Sequence, residues 1–367
     1  MKKLKRNLNE LYSRAREFVN KLKNEDRILL IHHRDLDGTV SAALFQKFLD
    51  NCGIVPVQIV SWSNEDAGKE LDEITKFDKT IILDIDISYT WKELKSMNKE
   101  ILIIDHHPPV QDMNGEKIVY MNPRLVDEKI YQPTSYLVWK IYGIDELKWL
   151  AIVGTVDDLG FEDCMDLLSE KIKAKTKNQM RKTKYAKMGF RINAALTQIG
   201  FEKIRNILLK TNSFEELERN EEVNKCWKNY LEEYNEVKER FWKNLEEHKK
   251  IKLMISRIGK VQRPLTSALA TGLSFKHKDR IIVLLRDEGD KFAVNARFQN
   301  DGVHLGNLLR KVSRGLDGGG GHDHAAGATI KKKDIDLFLN RLVKELETIF
   351  KEKKAKQASK SMKTNRK

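Results

Sequence analysis

The chain has 367 residues, which is enough for two or three compact domains. Hydrophobic residues make up 40% and charged residues 33%, a mixture typical of a soluble globular protein, and no window approaches the roughly 20 apolar residues of a membrane span. The formal net charge is +14, and much of it lies in two basic runs, 171–191 and 351–367. Such runs favour a polyanionic partner, although a charged helix face and a solvated tail would have the same composition.

Two further features indicate the compartment. The N-terminal segment has basic residues without an apolar stretch behind them, which argues against a secretion signal. The three cysteines, Cys52, Cys164 and Cys226, are scattered and odd in number, so we do not expect a disulfide framework. These features predict a cytoplasmic protein that does not enter a membrane.

The first half of the chain alternates apolar, β-branched runs with segments of helical periodicity. Strands that alternate with helices predict an α/β fold with a mostly parallel sheet flanked by helices. In such sheets, ligands bind outside the carboxyl ends of the strands. The predicted strands are 27–33, 55–62, 80–87, 100–107 and 117–122.

The second half predicts a different organisation. Residues from about 134 to 250 are typical of helices, and a smaller α/β domain with three predicted strands, a glycine-rich segment and a final helix begins near residue 251. The predicted domains are a first domain at 1–200 that includes an N-terminal helix, a helical connector at 201–250, a second domain at 251–350 and a disordered basic tail at 351–367.

Acidic residues and a histidine follow the first predicted strand. His33, Asp35 and Asp37 stand at alternate positions, and Gly38 permits a tight turn into the next helix. Carboxylates beside an imidazole are costly to place together unless a cation neutralises them. The alternative is a helix N-terminus, where Asp is favourable without any ligand.

Three further segments place Asp or His where an apolar run ends. We favour Asp84 over Asp86, because Asp84 directly follows its apolar run, as Asp105 does in the next strand. Imidazole together with carboxylate suits Mn²⁺, Fe²⁺ or Zn²⁺, and the absence of a nearby cysteine argues against a thiolate zinc site. The segments are 84–86, 105–107 and 157–158.

The order of these motifs resembles that of the DHH phosphoesterase family. The segment GFRINAALTQIG around Asn193 is similar to the PRINAAGR segment of RecJ-like exonucleases, with Leu196 and Thr197 in place of Gly and Arg. The resemblance covers roughly residues 27–330 and implies the archaeal type of the RecJ-like single-strand exonucleases. Its motifs are HRDLDG at 33–38, Asp84 at a strand end, DHH at 105–107, GTVDD at 154–158 and, typical of the DHH-associated C-terminal domain, GGGHDHAAG at 319–327.

The resemblance implies a role for each matching residue. His107 would face the scissile phosphate, and Asp105 would be catalytic by orienting His106 through a hydrogen bond. The implied cofactor is Mn²⁺, two ions per site, with Mg²⁺ or Co²⁺ as substitutes, and two such cations can activate water and neutralise charge on the leaving oxygen. One ion would be held by His33, Asp35 and Asp84, and the other by Asp37, Asp84, His106 and Asp158.

The C-terminal glycines are a candidate phosphate site, because consecutive glycines let the backbone approach a phosphate closely. A flexible turn before the next strand is the alternative explanation. The substrate contacts that the resemblance implies are Gly319, Gly320, Gly321, His322, Arg297 and Asn193.

The expected function is Mn²⁺-dependent exonuclease hydrolysis of single-stranded DNA or RNA in DNA repair or replication. The expected partners are single strands or short oligonucleotides, together with replication or repair proteins, and the oligomeric state stays open. One alternative is a small-substrate phosphodiesterase, such as a nanoRNase, a 3′-phosphoadenosine-5′-phosphate phosphatase or a cyclic-dinucleotide hydrolase. Another is a replication scaffold related to RecJ, which the complete set of metal ligands disfavours.

Overall fold

The computed structural model of the protein describes residues 6–364. The chain divides into two compact units, Met1–Trp227 and Lys228–Lys367, and each unit has its own β-sheet and its own hydrophobic cores. None of the helices in the described part of the chain is long and apolar enough to cross a membrane.

The first unit is built on a five-stranded sheet in which every strand is parallel to its neighbours. The central strands consist largely of Ile and Leu, which suit a pleated surface that is buried on both faces. This sheet confirms the predicted α/β fold. Its strands are β1 (Ile28–His33), β2 (Gln58–Trp62), β3 (Lys79–Leu83), β4 (Glu100–Ile104) and β5 (Ile118–Met121), in the spatial order β2-β1-β3-β4-β5.

Helices cover both faces of this sheet. Leu30 belongs to the core on one face and Ile31 to a separate core on the other, because consecutive side chains of a strand point to opposite faces. Polar site residues are therefore confined to the strand ends. The helices are α1 (Leu8–Asn20), α2 (Leu36–Asn51), α3 (Asn64–Lys69), α4 (Trp91–Ser96), α5 (Thr134–Tyr142), α6 (Lys148–Asp157), α7 (Met165–Leu168), α8 (Lys177–Met180), α9 (Lys184–Ile199), α10 (Phe201–Lys210) and α11 (Phe214–Glu218).

Strand β3 ends at Leu83, before the predicted end of this strand at residue 87. Asp84 has a φ of +66°, a left-handed conformation that few non-glycine residues adopt and that ends a strand. The N–H of Asp84 still donates a hydrogen bond to the carbonyl of Ile104 at 2.9 Å. The backbone therefore turns away only after this last hydrogen bond between β3 and β4. The chain therefore turns at the carboxyl end of the sheet.

The second unit contains a six-stranded mixed sheet, in which the described pairing of β7 with β8 is parallel and the other pairings are antiparallel. Leu284 and Leu285 of β8 point into two different cores on opposite faces of the sheet. A smaller α/β domain in this region is thus confirmed. Its elements are β6 (Leu245–His248), β7 (Leu253–Gly259), α13 (Thr266–Lys276), β8 (Ile281–Asp287), β9 (Lys291–Arg297), α14 (Leu305–Val312), β10 (Gly319–Gly321), β11 (Ala325–Lys331) and α15 (Ile335–Thr364), and α12 (Glu221–Lys243) crosses the unit boundary.

Two predicted boundaries differ from those of the structure. Residues 201–227, assigned to the connector, belong to the first unit, where α10 packs against α2 and buries Ile204 and Leu208. The segment 351–364, expected to be disordered, continues α15 because its sequence is rich in lysine, which has a high helix propensity. Residues 365–367 of the expected tail lie outside the described residues.

Candidate metal centre

Polar residues from separate segments meet at the carboxyl edge of the parallel sheet. His33 is the last residue of β1, Asp84 follows β3, and His106 lies just beyond β4. Asp35 caps the start of α2, and Asp158 caps the end of α6. Because neighbouring parallel strands end at the same edge, residues far apart in the sequence converge there.

His33, Asp35 and Asp84 form one potential metal site, with one ligand atom of each residue within 4.8 Å of the others. Nδ1 of His33 lies 2.6 Å from Oδ2 of Asp35 and 3.9 Å from Oδ2 of Asp84. Oδ1 of Asp35 also accepts a hydrogen bond from the backbone N–H of Gly38 at 2.8 Å. Asp35 is therefore a helix cap and a potential ligand at the same time.

Asp37, His106 and Asp158 form a second potential metal site under the same 4.8 Å limit. Nε2 of His106 lies 3.5 Å from Oδ2 of Asp158 and 3.3 Å from Oδ1 of Asp84. A further group, made of Asp84, His106 and His107, overlaps the first two. Asp84 thus belongs to the first potential site and also contacts His106 of the second.

The clustered carboxylates carry more negative charge than the described protein groups neutralise. Burial, followed by the charge of Asp158, raises the pKa of Asp37 to about 8. Burial, followed by the charges of Asp35 and Asp37, raises the pKa of Asp84 well above its usual value. Oδ2 of Asp84 and Nδ1 of His106 are buried without a hydrogen-bond partner in the described part of the chain. Divalent cations would neutralise the charge and suit this donor set, so the residues fit a metal centre.

Asp105 contacts His107, and the prediction that it orients His106 is wrong. Nδ1 of His107 lies 2.7 Å from Oδ1 of Asp105, because residues two apart in extended backbone face the same side. Oδ2 of the fully buried Asp105 accepts hydrogen bonds from Asn122 at 3.3 Å and from the Tyr120 hydroxyl at 3.4 Å. Burial by itself would lower the pKa of His107, but the hydrogen bond to Asp105, together with the charges of Asp105 and other nearby carboxylates, raises that pKa to about 9.

The start of α5 holds Asp37, a contact that the sequence analysis missed. The backbone N–H groups of Thr134 and Ser135 donate to the two carboxylate oxygens of Asp37 at 2.7 and 3.0 Å. The Thr134 hydroxyl donates to Oδ1 of Asp84 at 3.0 Å. The local signal for this role is weak, since Pro-Thr-Ser is simply typical of the beginning of a helix.

Tyr131 is a second residue that the sequence analysis missed. Its hydroxyl donates a hydrogen bond to Oδ2 of Asp158 at 2.7 Å. The side-chain charges of Arg124 and Lys177 lie 5.5 and 5.6 Å from the centre of its ring. Tyr131 therefore connects a potential metal ligand to the basic segment 171–191. An isolated tyrosine carries no spacing or motif that would mark this role in the sequence.

Asn193 contacts the neighbour of a potential ligand. Nδ2 of Asn193 donates to both carboxylate oxygens of Asp157, at 3.0 and 3.1 Å. Burial raises the pKa of Asp157 to about 6, and Asp157 is in none of the potential metal groups found among the described residues. The contact links α9 to α6, and the substrate role of Asn193 stays a proposal.

In the second unit, the glycine-rich segment includes a short strand, β10, that pairs with β11. A Cβ atom on Gly306 would lie 2.0 Å from the carbonyl oxygen of Gly321, so the two backbones need glycine to approach this closely. His322 is exposed, and the half-buried Arg297 donates hydrogen bonds to hydroxyl groups of α13. Substrate binding in this unit stays a proposal, and the residues proposed for it are Gly319, Gly320, Gly321, His322 and Arg297.

Two family models match the chain. Residues 27–154 match the DHH family, N-terminal domain, and residues 250–352 match the DHHA1 domain. Together the two matches span more than half of the chain. An uncharacterised protein from Methanocaldococcus jannaschii is 28% identical over 149 residues, which are 38% of this chain and 34% of that protein.

Solved structures of RecJ have the same fold. RecJ from Thermus thermophilus in complex with Mn²⁺ aligns with a TM-score of 0.64 and 19% identity, over 94% of this chain and 55% of that chain. An exonuclease RecJ bound to manganese aligns with a TM-score of 0.65 and 18% identity, over 92% of this chain and 94% of that one. The chain thus spans about a third of the M. jannaschii protein and little more than half of the Thermus RecJ.

Proteins with other roles share this fold. The pGpG-specific phosphodiesterase PggH from Vibrio cholerae aligns with a TM-score of 0.55 and 14% identity, over 88% of this chain and 99% of that one. CDC45 from Entamoeba histolytica aligns with a TM-score of 0.56 and 13% identity, over 93% and 98% of the two chains. The fold by itself therefore does not distinguish an exonuclease from a small-substrate phosphodiesterase.

Proposed function

The chain belongs to the DHH family, and from this premise we propose that it is a metal-dependent phosphodiesterase that degrades single-stranded DNA or RNA as an exonuclease. The observation that carries the proposal is the pair of Asp/His clusters at the carboxyl edge of the parallel sheet, on either side of Asp84. A scaffold that only bound other proteins would not need buried carboxylates held so close together.

The proposed cofactor is Mn²⁺, which suits a mixed set of imidazole and carboxylate ligands, with Mg²⁺ or Co²⁺ as substitutes. When bound, two divalent cations supply activation of a water molecule and neutralisation of charge on the phosphate. The residues that would hold them are His33, Asp35 and Asp84 for one ion, and Asp37, Asp84, His106 and Asp158 for the other.

His107 is proposed to contact the scissile phosphate. Its side chain is 30% exposed, against 7% for His106, so His107 is the more accessible of the two adjacent imidazoles. The hydrogen bond from Nδ1 of His107 to Asp105 leaves Nε2 available to donate to a phosphate oxygen. Asp105 is then a positioning residue that acts through His107.

A nucleic-acid strand is the favoured substrate because basic side chains begin beside the metal centre. Lys177 lies against the ring of Tyr131, whose hydroxyl contacts Asp158. From there the segment 171–191 contributes nine basic residues and no acidic ones, which would follow the backbone of a strand. In the second unit, Arg297 and the segment 319–322 are proposed to bind substrate phosphates.

A small-substrate phosphodiesterase is the second candidate. The chain aligns over 99% of PggH, a phosphodiesterase specific for pGpG, so this fold accommodates a dinucleotide-sized substrate. The basic residues beyond Lys177 would then not be needed to bind the substrate, which makes substrate length the decisive variable.

The test is hydrolysis of single strands labelled at the 5′ or the 3′ end, from dimers to about 30-mers of DNA and RNA, with Mn²⁺ or EDTA. We expect Mn²⁺-dependent stepwise shortening of long strands by the wild type and by Asp86→Asn, and none by Asp84→Asn. Asp86 is a matched control, since its Oδ1 accepts hydrogen bonds from Ser88 and it is in none of the described clusters.

Each outcome separates the candidates. Cleavage limited to dimers would establish the small-substrate phosphodiesterase. Metal-dependent shortening that persists in Asp84→Asn would contradict the assignment of the site. No cleavage of any substrate would overturn the enzyme proposal and leave the scaffold.

A further inference from the structure

The free edge of β2 borders a cleft that is separate from the metal clusters. β2 is the edge strand of the parallel sheet, so no strand covers its outer side in the described structure. The cleft has a volume of about 410 Å³, which is in the range of small-molecule sites. Its lining includes His32, Arg34, Ser61, Trp62, Glu202 and Arg205.

Arg205 lines this cleft and has no hydrogen-bond or ion-pair partner in the described part of the chain. It projects from α10 and is only 6% exposed. Among residues 6–364, its buried Nε has no hydrogen-bond partner, and its guanidinium has no carboxylate within 4 Å. A buried charge that lacks a counter-ion is unfavourable, and proteins normally pair such groups. The unpaired guanidinium therefore indicates that an anion belongs in the cleft.

The second arginine of the cleft is already neutralised. Nη1 of Arg34 lies 2.8 Å from Oδ2 of Asp66, and its Nε donates to the carbonyl oxygen of Ser61 at 3.0 Å. Glu70 and Glu202 lie at the rim. One unpaired positive charge lies inside a rim that carries acidic groups. This distribution suits the binding of a single compact anionic group.

We propose that this cleft binds the phosphate group of a mononucleotide-sized phosphate monoester through the Arg205 guanidinium. The planar guanidinium can donate two parallel hydrogen bonds to a phosphate. A phosphate fills only part of the cleft volume, so the rest accommodates the organic group that carries it. The site does not require bound metal and does not depend on the proposed catalytic activity. The source of the phosphate is either a free mononucleotide or the terminal phosphate of a strand.

The experiment is isothermal titration of the full chain in EDTA with inorganic phosphate, deoxyadenosine 5′-monophosphate, and a decanucleotide with or without a 5′-phosphate. We expect Arg205→Met to bind the monophosphate about 10- to 100-fold more weakly than the wild type. Lys210→Met is the matched control. Lys210 is an exposed cation on the same helix, but it does not line the cleft. We therefore expect Lys210→Met to bind the monophosphate as tightly as the wild type. Tighter binding of the monophosphate than of the decanucleotides identifies the free nucleotide, and binding of the decanucleotide only when phosphorylated identifies a strand end.

Two further variants keep the test decisive if Arg205→Met folds poorly. Arg205→Lys retains the charge but loses the planar fork, so its affinity should fall between those of the wild type and Arg205→Met. Glu202→Gln removes the carboxylate charge that acts on Arg205 and should tighten binding about two- to five-fold.

Three results would overturn the proposal. The first is equal phosphate affinity in the wild type and Arg205→Lys, and the second is no phosphate binding in EDTA. The third is a lower unfolding temperature without tighter binding in Glu202→Gln, which would make Glu202 the structural partner of Arg205.

Discussion

At the scale of single residues, the candidate metal centre is a place where the fold holds like charges together. Asp35, Asp37 and Asp158 surround the shared Asp84, and the pKa values of Asp37 and Asp84 are raised first of all by burial. Burial and mutual repulsion make this arrangement unfavourable unless a cation compensates. The metal-free protein is therefore expected to be destabilised at this site.

Replacement of Asp84 by asparagine tests that expectation. We expect the unfolding temperature of metal-free Asp84→Asn to equal or exceed that of the wild type, because the variant removes one buried charge. Mn²⁺ should no longer raise it. Asparagine tolerates the φ of +66° at this position, so the backbone turn is preserved. Thermal unfolding in EDTA and in Mn²⁺ measures both effects, with Asp86→Asn as the control. A Mn²⁺-induced shift as large as that of the wild type would contradict the ligand role.

Replacement of Asp105 by asparagine should separate catalysis from metal binding. Asp105 contacts His107 and is in none of the potential metal groups of the described residues. We expect kcat to fall about 100-fold, because the His107 imidazole loses its orientation and its charge partner. The Mn²⁺-induced rise in unfolding temperature should persist. A loss of that rise would show that Asp105 supports the ligands instead of His107.

At the scale of elements, two helix N-termini organise the ligands. The start of α2 follows β1 directly and presents Asp35 and Asp37, while the backbone N–H groups at the start of α5 hold the carboxylate of Asp37. Both contacts are favourable because the free N–H groups at the start of a helix attract negative charge. The positions of the ligands therefore depend on the packing of α2 against α5.

Replacement of Gly38 by alanine should disturb the turn between β1 and α2. A Cβ atom there would lie 2.6 Å from the carbonyl oxygen of His33 and 2.9 Å from its Cβ. We expect the free energy of unfolding to fall by about 1–3 kcal/mol and the affinity for Mn²⁺ to weaken, because His33 must move. Gly115→Ala is the control, since the nearest atom to its Cβ would be 4.0 Å away. Urea unfolding and Mn²⁺ titration measure the two effects, and equal values for both variants would contradict the steric argument.

At the scale of the whole molecule, metal binding should stabilise one unit more than the other. Each unit has its own sheet and cores, and every residue of the candidate metal centre lies in the first unit. Five of the six tryptophans also lie there, and Trp242 is the exception. Tryptophan fluorescence therefore reports mainly on the unit that would bind the metal.

Metal removal provides the measurement. At a Mn²⁺ concentration of 100 times Kd, ligand binding adds about 2.7 kcal/mol to the free energy of unfolding of the unit that holds it. We expect EDTA to lower the temperature of the fluorescence transition. Calorimetry should show a smaller shift for a second transition, if the two units unfold separately. An unchanged fluorescence transition after metal removal would contradict a metal centre in the first unit.

The chain order of strands and motifs was predictable because it depends on local sequence. Runs of Ile and Leu bounded by polar residues indicated β1, β3 and β4, and the structure and the family models confirm the parallel sheet and the DHH family. The ends of elements were less predictable. β3 was expected to continue to residue 87, but the left-handed backbone at Asp84 ends it, and an alternating apolar pattern does not reveal such a turn.

The sequence by itself determined the family and the fold class, and it placed acidic and histidine residues near the ends of strands and helices, because strand propensity and motif order are properties of neighbouring residues. Only the tertiary structure decided which of these side chains touch. It paired Asp105 with His107, placed the N–H of Thr134 against Asp37 across 97 positions of the chain, and left the buried Arg205 facing the edge of β2. Such contacts arise when distant segments pack, and packing depends on the whole core, which no local pattern encodes.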